Sequence, residues 1–300
     1  MRAFPLGLFV LIGLLMACQP KKEDGLDQLR QGVTGKFDSI EGEFALAYLN
    51  LKDTSDYLLI NAGERFHAAS TMKVPVMIEL FKQSAQGLYS INDSVLIKNE
   101  FKSIVDESLY SLDTADDSEK ELYAILGEKR SIYDLNYDMI IWSSNLATNL
   151  LIEFADAKKV TQSMRDLGAA DIEVLRGVED IKAFEQGLSN STTAKDLMVI
   201  FQAIASDNAG SPEDCAEMIK ILKDQKFNEI IPALLPEDVE VAHKTGVITA
   251  LHHDAGIVFL PDGNAYVLVL LSKNLGDFDE GTNLMAEVSR MVYDYFTENK

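Results

Sequence analysis

Three short polar clusters stand out in this 300-residue chain: Ser70-Thr71-Met72-Lys73, Ser143-Ser144-Asn145 and His243-Lys244-Thr245-Gly246. Ser70 follows a small-residue approach, Ala68-Ala69, and leads into an amphipathic pattern from Val74 to Gln86. A helix beginning at Ser70 would put Lys73 one turn on and on the same face, so the spacing predicts hydroxyl and ammonium within reach of each other. A serine hydroxyl is a weak nucleophile at neutral pH and needs an adjacent base. A lysine serves as that base only if its pKa falls several units from the usual value of about 10.4, which burial and a second cation bring about. The free N–H groups at a helix start suit the oxyanion formed when such a hydroxyl adds to a carbonyl carbon. The chemistry to expect is therefore acyl transfer. Ser-x-x-Lys alone is expected about once by chance in a chain of this length, so its weight depends on the other two clusters.

Ser143-Ser144-Asn145 closes the apolar run Met139 to Trp142 and opens a helical pattern from Leu146 to Phe154, while Lys244-Thr245-Gly246 ends the strand-like Val239 to Ala242. Ser-x-x-Lys, Ser-x-Asn and a strand-borne Lys-Thr-Gly, in that order, are the signature of penicillin-recognising serine enzymes. The chain resembles their class A β-lactamase branch from about Phe44 to its C-terminus. The hairpin pattern Gly256 to Leu260, Pro261-Asp262-Gly263 and Tyr266 to Ser272 belongs to the same resemblance.

The resemblance implies an α/β (α+β) fold of the β-lactamase and penicillin-binding-protein transpeptidase type, a five-stranded antiparallel sheet flanked by helices with an inserted all-helical lobe. It also implies roles. Ser70 attacks and becomes acylated; Lys73 takes its proton or positions a water that does; Ser143 relays a proton to the leaving nitrogen. Asn145 holds the substrate's side-chain amide and Lys73. Lys244 and Thr245, beside Gly246, bind the carboxylate shared by β-lactams and acyl-D-Ala-D-Ala peptides, and the N–H groups of Ser70 and Val247 form the oxyanion hole. The expected activity is β-lactam hydrolysis through an acyl-enzyme. A D-Ala-D-Ala peptidase or esterase of the same fold, or a penicillin-binding sensor that acylates without turnover, are the alternatives. No metal or organic cofactor is implied.

Three departures from the class A pattern bear on this. The middle residue of Ser-Asp-Asn is here Ser144, which alters local structure more than chemistry. Counting back from Pro261-Asp262-Gly263, His253 falls where the family commonly has an arginine that reads the carboxylate, so His253 is expected to touch substrate in a pH-dependent way. The third concerns deacylation. The family's glutamate lies in an Arg-Trp-Glu-Pro-x-x-x-Asn loop, whereas this chain has Arg176-Gly177-Val178-Glu179-Asp180-Ile181-Lys182-Ala183-Phe184-Glu185. Glu179 is nearest by position and Glu185 is the other candidate, although loop carboxylates are usually solvated. No acid precedes Thr192-Thr193 to pair with Arg176. His67, His243 and His252 read as structural residues.

The elements that must position these groups follow from periodicity. Phe44 to Leu49 and Tyr57 to Ile60 read as strands, Val74 to Gln86 as a helix, and Ile132 to Trp142, Asn145 to Phe154, Lys158 to Leu167, Thr193 to Ser206 and Pro212 to Gln225 as further helices. Val239 to Lys244, Gly256 to Leu260 and Tyr266 to Ser272 return to strand pattern before a last helix, Gly281 to Thr297. Strands from both ends and helices between them predict a mixed lobe, 43–69 with 239–300, and a helical lobe, 70–238, with the cleft at their seam. The stretch Asp106 to Glu121 carries seven carboxylates without metal-ligand spacing and reads as solvated loop.

Residues 1–17 hold one charge, Arg2, before the apolar run Phe4 to Met16, too short to span a bilayer and fitting a signal peptide. Leu15-Met16-Ala17-Cys18 looks like the lipobox of bacterial lipoproteins, making Cys18 the lipidated first residue and residues 18–42 its tether, ahead of a catalytic domain over 43–300. The expectation is an exported protein of the bacterial cell envelope, held to the membrane by lipid. Cys215 is then unpaired and reads as a small buried hydrophobe. With 27 basic and 48 acidic residues the chain carries −21, which argues against nucleic acid and against electrostatic adhesion to anionic membranes. The expected partner is a small-molecule substrate, and the protein is expected to be a monomer.

Overall fold

A computed structural model describes residues 22–299. Its centre is a five-stranded antiparallel sheet in the order β2-β1-β5-β4-β3, with β1 Glu43–Asn50, β2 Tyr57–Ile60, β3 Glu240–Ile248, β4 Leu251–Phe259 and β5 Ala265–Lys273. Strands from the two ends of the chain meet where Leu46 of β1 pairs Leu270 of β5. The two-residue side-chain period sorts them onto two faces. Leu46, Tyr48, Leu58, Val258, Leu268 and Leu270 face α8, Phe278–Glu298, whereas Ala45, Ala47, Leu49, Ile257, Val267 and Val269 face the helical lobe.

The helical lobe comprises α2 Lys73–Ala85, α3 Ile132–Ile141, α4 Asn145–Ala155, α5 Ala157–Asp166, α6 Ala194–Ala205 and α7 Pro212–Lys223. In α2, Val74, Val76, Met77, Ile78 and Leu80 are all buried. A helix apolar on nearly every face is an interior helix, and α2 carries the nucleophile region through the middle of this lobe. Its Pro75 lies in the first turn, where a missing N–H costs nothing. Cys215 is buried and has no disulfide partner among the described residues, in keeping with a small core hydrophobe.

Two expectations are corrected. The segment expected as a tether is, from Lys22 to Phe37, a helix, α1, whose Leu29, Val33 and Phe37 are buried in the core beneath α8. These apolar residues recur at helical spacing among charges, and the ring of Phe37 stacks on Phe44 of β1 at 4.9 Å. Cys18 and the leader 1–17 lie outside the described residues. The second correction concerns the acidic stretch, which is not uniformly solvated: Asp117 and Glu119 are buried.

Candidate active site

Ser70 does not begin an α-helix. It lies in a 3₁₀ turn, Ala69–Met72, that widens into α2 at Lys73. The turn is entered through Ala69 at φ +46°, a left-handed conformation that a residue with a Cβ adopts only under constraint. The constraint is visible on the strand opposite: a Cβ on Gly246 would stand 3.1 Å from Ser70 N and 3.2 Å from Ala69 Cβ. Only glycine lets β3 press so closely against the nucleophile turn, which accounts for the third residue of Lys-Thr-Gly.

Behind Ser70 the two lysines converge. Lys73 is fully buried, and its Nζ donates to Ser143 O at 2.7 Å, Ser143 Oγ at 3.1 Å and Asn145 Oδ1 at 3.1 Å. Lys244, also fully buried, reaches from β3 and donates to the same Ser143 Oγ at 3.1 Å. Ser143 sits at φ +57°, a second strained position, which turns its hydroxyl and its carbonyl toward the lysines. Burial lowers Lys73 to about 7, although the charges of Asp117 and Glu179 pull it upward. Burial and the neighbouring Lys73 push Lys244 well below the ordinary lysine range. A lysine titrating near neutrality can accept a proton from a serine hydroxyl.

Glu179 shares the cleft. It stands at φ +62° on the 176–180 loop, and its Oε1 accepts from Asn145 Nδ2 at 2.9 Å, so Asn145 links Lys73 to Glu179. Burial raises the Glu179 carboxyl above its usual value. The loop is held by two asparagines. Asn149 of α4 receives the Val178 N–H at 2.6 Å and donates to Val178 O at 3.0 Å. Asn190 accepts from Leu175 N and Arg176 N and donates to Arg176 O. Arg176 itself donates to the carbonyls of Leu188 and Gly177, so the loop closes without the acid partner that the sequence lacks. Glu185, the other candidate, is exposed and is not among the residues lining the cleft.

The cleft has two adjoining hollows of about 400 and 450 Å³, and Ser70, Asn145 and Val247 line both. Toward the loop, Val178, Glu179, Ile181, Phe184 and Ile248 form a largely apolar wall. On the other side stand Ser143, Thr245, Glu229 and His252.

His253 does not line the cleft. It is fully buried, its Nε2 donates to His67 O at 2.9 Å, and its Nδ1 accepts from Ser272 N at 3.2 Å. Both ring nitrogens are committed to backbone, and burial holds its pKa down to about 4, so it is a neutral structural residue behind the nucleophile turn. It is the adjacent His252 that the pleat turns toward Thr245 and Val247, with Nδ1 bonded to Thr282 Oγ1 at 2.8 Å and its ring stacked on Phe278. His243 is bonded to Asp254 and Asn228. Sequence reasoning also missed Asp117, whose carboxylate sits under the start of α4; its only sequence signal was membership of an acidic stretch.

Fold and site together define a class: a two-lobed serine enzyme in which the Ser-x-x-Lys turn, the Ser-x-Asn turn and the Lys-Thr-Gly strand meet at one seam. The chain belongs to the β-lactamase enzyme family, whose model matches residues 28–296. It is similar to the extended-spectrum β-lactamase PER-1 of Pseudomonas aeruginosa, 24% identical over 271 residues that cover 81% of this chain and 79% of that protein. Among solved structures, PBP-A superposes with a TM-score of 0.76 at 25% identity, covering 92% of this chain and 96% of that one. The TLA-1 extended-spectrum β-lactamase superposes at 0.80 with 21% identity, covering 91% and 99%, a likeness of fold.

Proposed function

We propose that this protein hydrolyses β-lactams through an acyl-enzyme on Ser70 and that Glu179 activates the water that clears it. The observation that carries the reading is the continuous chain Lys244–Ser143–Lys73–Asn145–Glu179 beside Ser70. Lys73, neutral in a large fraction of molecules at neutral pH, takes the Ser70 proton. The Ser143 hydroxyl, against which both lysines converge, passes its proton to the departing ring nitrogen and recovers the Ser70 proton from Lys73. Ser70 N and Val247 N receive the oxyanion, and Lys244 and Thr245 receive the substrate carboxylate without help from His253. The apolar wall by Phe184 and Ile248 takes the acyl side chain. The experiment is time-resolved mass spectrometry with a penicillin. Ser70→Ala should give no adduct, and Glu179→Gln should acylate nearly as fast as wild type yet hold the adduct, with Glu185→Gln as control. A wild-type adduct that persists and that Glu179→Gln does not prolong overturns the hydrolase reading in favour of a D-Ala-D-Ala peptidase acting from the same cleft.

The protein is further proposed to be an exported monomer, lipidated on Cys18 and attached to the bacterial cell envelope. The support is the apolar leader ending in Leu15-Met16-Ala17-Cys18. Cys18→Ser should move the protein from membrane to soluble fractions; a variant that still sediments with membranes contradicts the lipobox reading.

A further inference from the structure

The start of α4 is where the Ser-x-Asn turn becomes a helix, and its free N–H groups can be accounted for one by one. The Asn145 N–H donates to both oxygens of Asp117 at 3.0 Å, and the Leu146 N–H donates to Asp117 Oδ2 at 2.9 Å. The Ala147 N–H donates to Ser144 Oγ at 3.2 Å, and the Thr148 N–H to Ser144 O at 3.2 Å. Asp117 is 3% exposed and takes two more donors, Tyr123 OH at 2.9 Å and Glu119 N–H at 3.1 Å. A carboxylate from a distant loop thus does for the first two amides what the buried Ser144, its hydroxyl committed to the third, cannot do.

Asn145 is also the residue whose side chain joins Lys73 to Glu179. Whatever fixes its backbone fixes the distance between the two groups that move protons. An anion at a helix N-terminus is held by the dipole as well as by hydrogen bonds, so this carboxylate is fixed in place. From these contacts we infer that Asp117 is a positioning residue of the acyl-transfer site, seating Asn145 through the start of α4 and supplying the negative charge behind the Lys73–Asn145–Glu179 chain.

The inference rests on the reading that Ser70 is acylated with help from Lys73. Three charged groups bear on Lys73: Asp117 and Glu179, which favour its protonated form, and Lys244, which shares the Ser143 hydroxyl with it. Around Asp117 stand Tyr123 and Glu119. Asp117 also raises Glu179. Removing its charge therefore lowers both Lys73 and Glu179. Each must lose a proton to act as a base, so the sign of the effect is the same whichever of them sets the acid limb of the rate profile.

The test is the pH profile of Ser70 labelling by a fluorescent penicillin. In Asp117→Asn the acid limb should move to lower pH by about one unit, the order expected for loss of one nearby charge in a buried site. Asp117→Glu keeps the charge and should leave the limb at its wild-type position even if its melting temperature falls. A purely structural cap gives the opposite pattern, in which Asp117→Asn melts earlier and labels less but its limb coincides with wild type; that result overturns the inference. If Asp117→Asn does not fold, Ser144→Asp in the otherwise intact chain adds a second carboxylate at the same helix start and should move the limb upward. An unmoved limb there overturns the inference equally. Absence of labelling in the wild type would instead count against Ser70 acylation itself, so the two failures are told apart.

Discussion

At Lys73 burial and charge oppose each other, and burial wins. Taking an ammonium out of water disfavours its charged form by several units, and the carboxylates of Asp117 and Glu179 return only part of that, leaving the group near 7. The consequence is a pH dependence with a definite sign. In the proposed reaction the amine is the acting form, so the acylation rate should climb as pH rises through about 7 and level off above it. Glu179 is also shifted upward by burial, and the proposed activation of water needs its carboxylate form. Deacylation should therefore slow on acidification at a pH above the ordinary carboxylate range. Separate measurement of adduct formation and adduct loss between pH 5 and 9 checks both. An acylation rate flat across that span would mean that Lys73 stays charged and acts only by position. Three left-handed non-glycine residues, Ala69, Ser143 and Glu179, bring these groups together, each at a cost of roughly 1–3 kcal/mol that the surrounding packing must cover.

At the scale of the element, the 176–180 loop shows how a site group is held without the family's usual salt bridge. Gly177 passes so close to Asn149 that a Cβ there would stand 2.2 Å from Asn149 Oδ1. Gly177→Ala should displace the loop and slow adduct loss by about tenfold to a hundredfold while Ser70 is still labelled, because the loop reaches Lys73 only through Asn145 and the charge of Glu179. Equal losses in both steps would mean that the loop also shapes the acylation site. The strands and helices around this loop were legible because their apolar residues recur with periods of 2 and 3.6. That Ser70, the two lysines and the Ser-x-Asn turn meet at one seam was legible from the types and spacing of these residues. His253 was not, since counting from the Pro261 turn finds a position on β4 while the pleat decides the face, and one residue of error exchanges a histidine bonded to backbone behind the turn for the cleft-lining His252. Asp117 was not legible either, because it bonds to backbone amides of a helix 28 residues away, and main-chain partners leave no mark in sequence.

At the scale of the whole molecule, the sheet separates two cores, and the cleft depends directly on only one of them. The core between the sheet and the terminal helices holds Leu29, Val33 and Phe37 of α1 against Val288, Val292 and Phe296 of α8, on the opposite face from α2 and the lysines. Sequence reading missed α1 because its apolar residues are few and set among charges; it folds by docking rather than by propensity. Burying three such side chains contributes on the order of 5 kcal/mol before the cost of ordering the helix. A chain begun at Ser39 should melt at a lower temperature. It should also bind a hydrophobic dye at the uncovered face of α8. Below its melting range it should label Ser70 at the wild-type rate, since every hydrogen bond that fixes Lys73, Ser143 and Asn145 comes from the other side of the sheet. Unchanged melting would show that α1 contributes no net stability. Slower labelling by a truncated protein that is still folded would show that the sheet transmits strain from one core to the other, and that β3, which carries Lys244 on one face and Val241 on the other, is the strand that carries it.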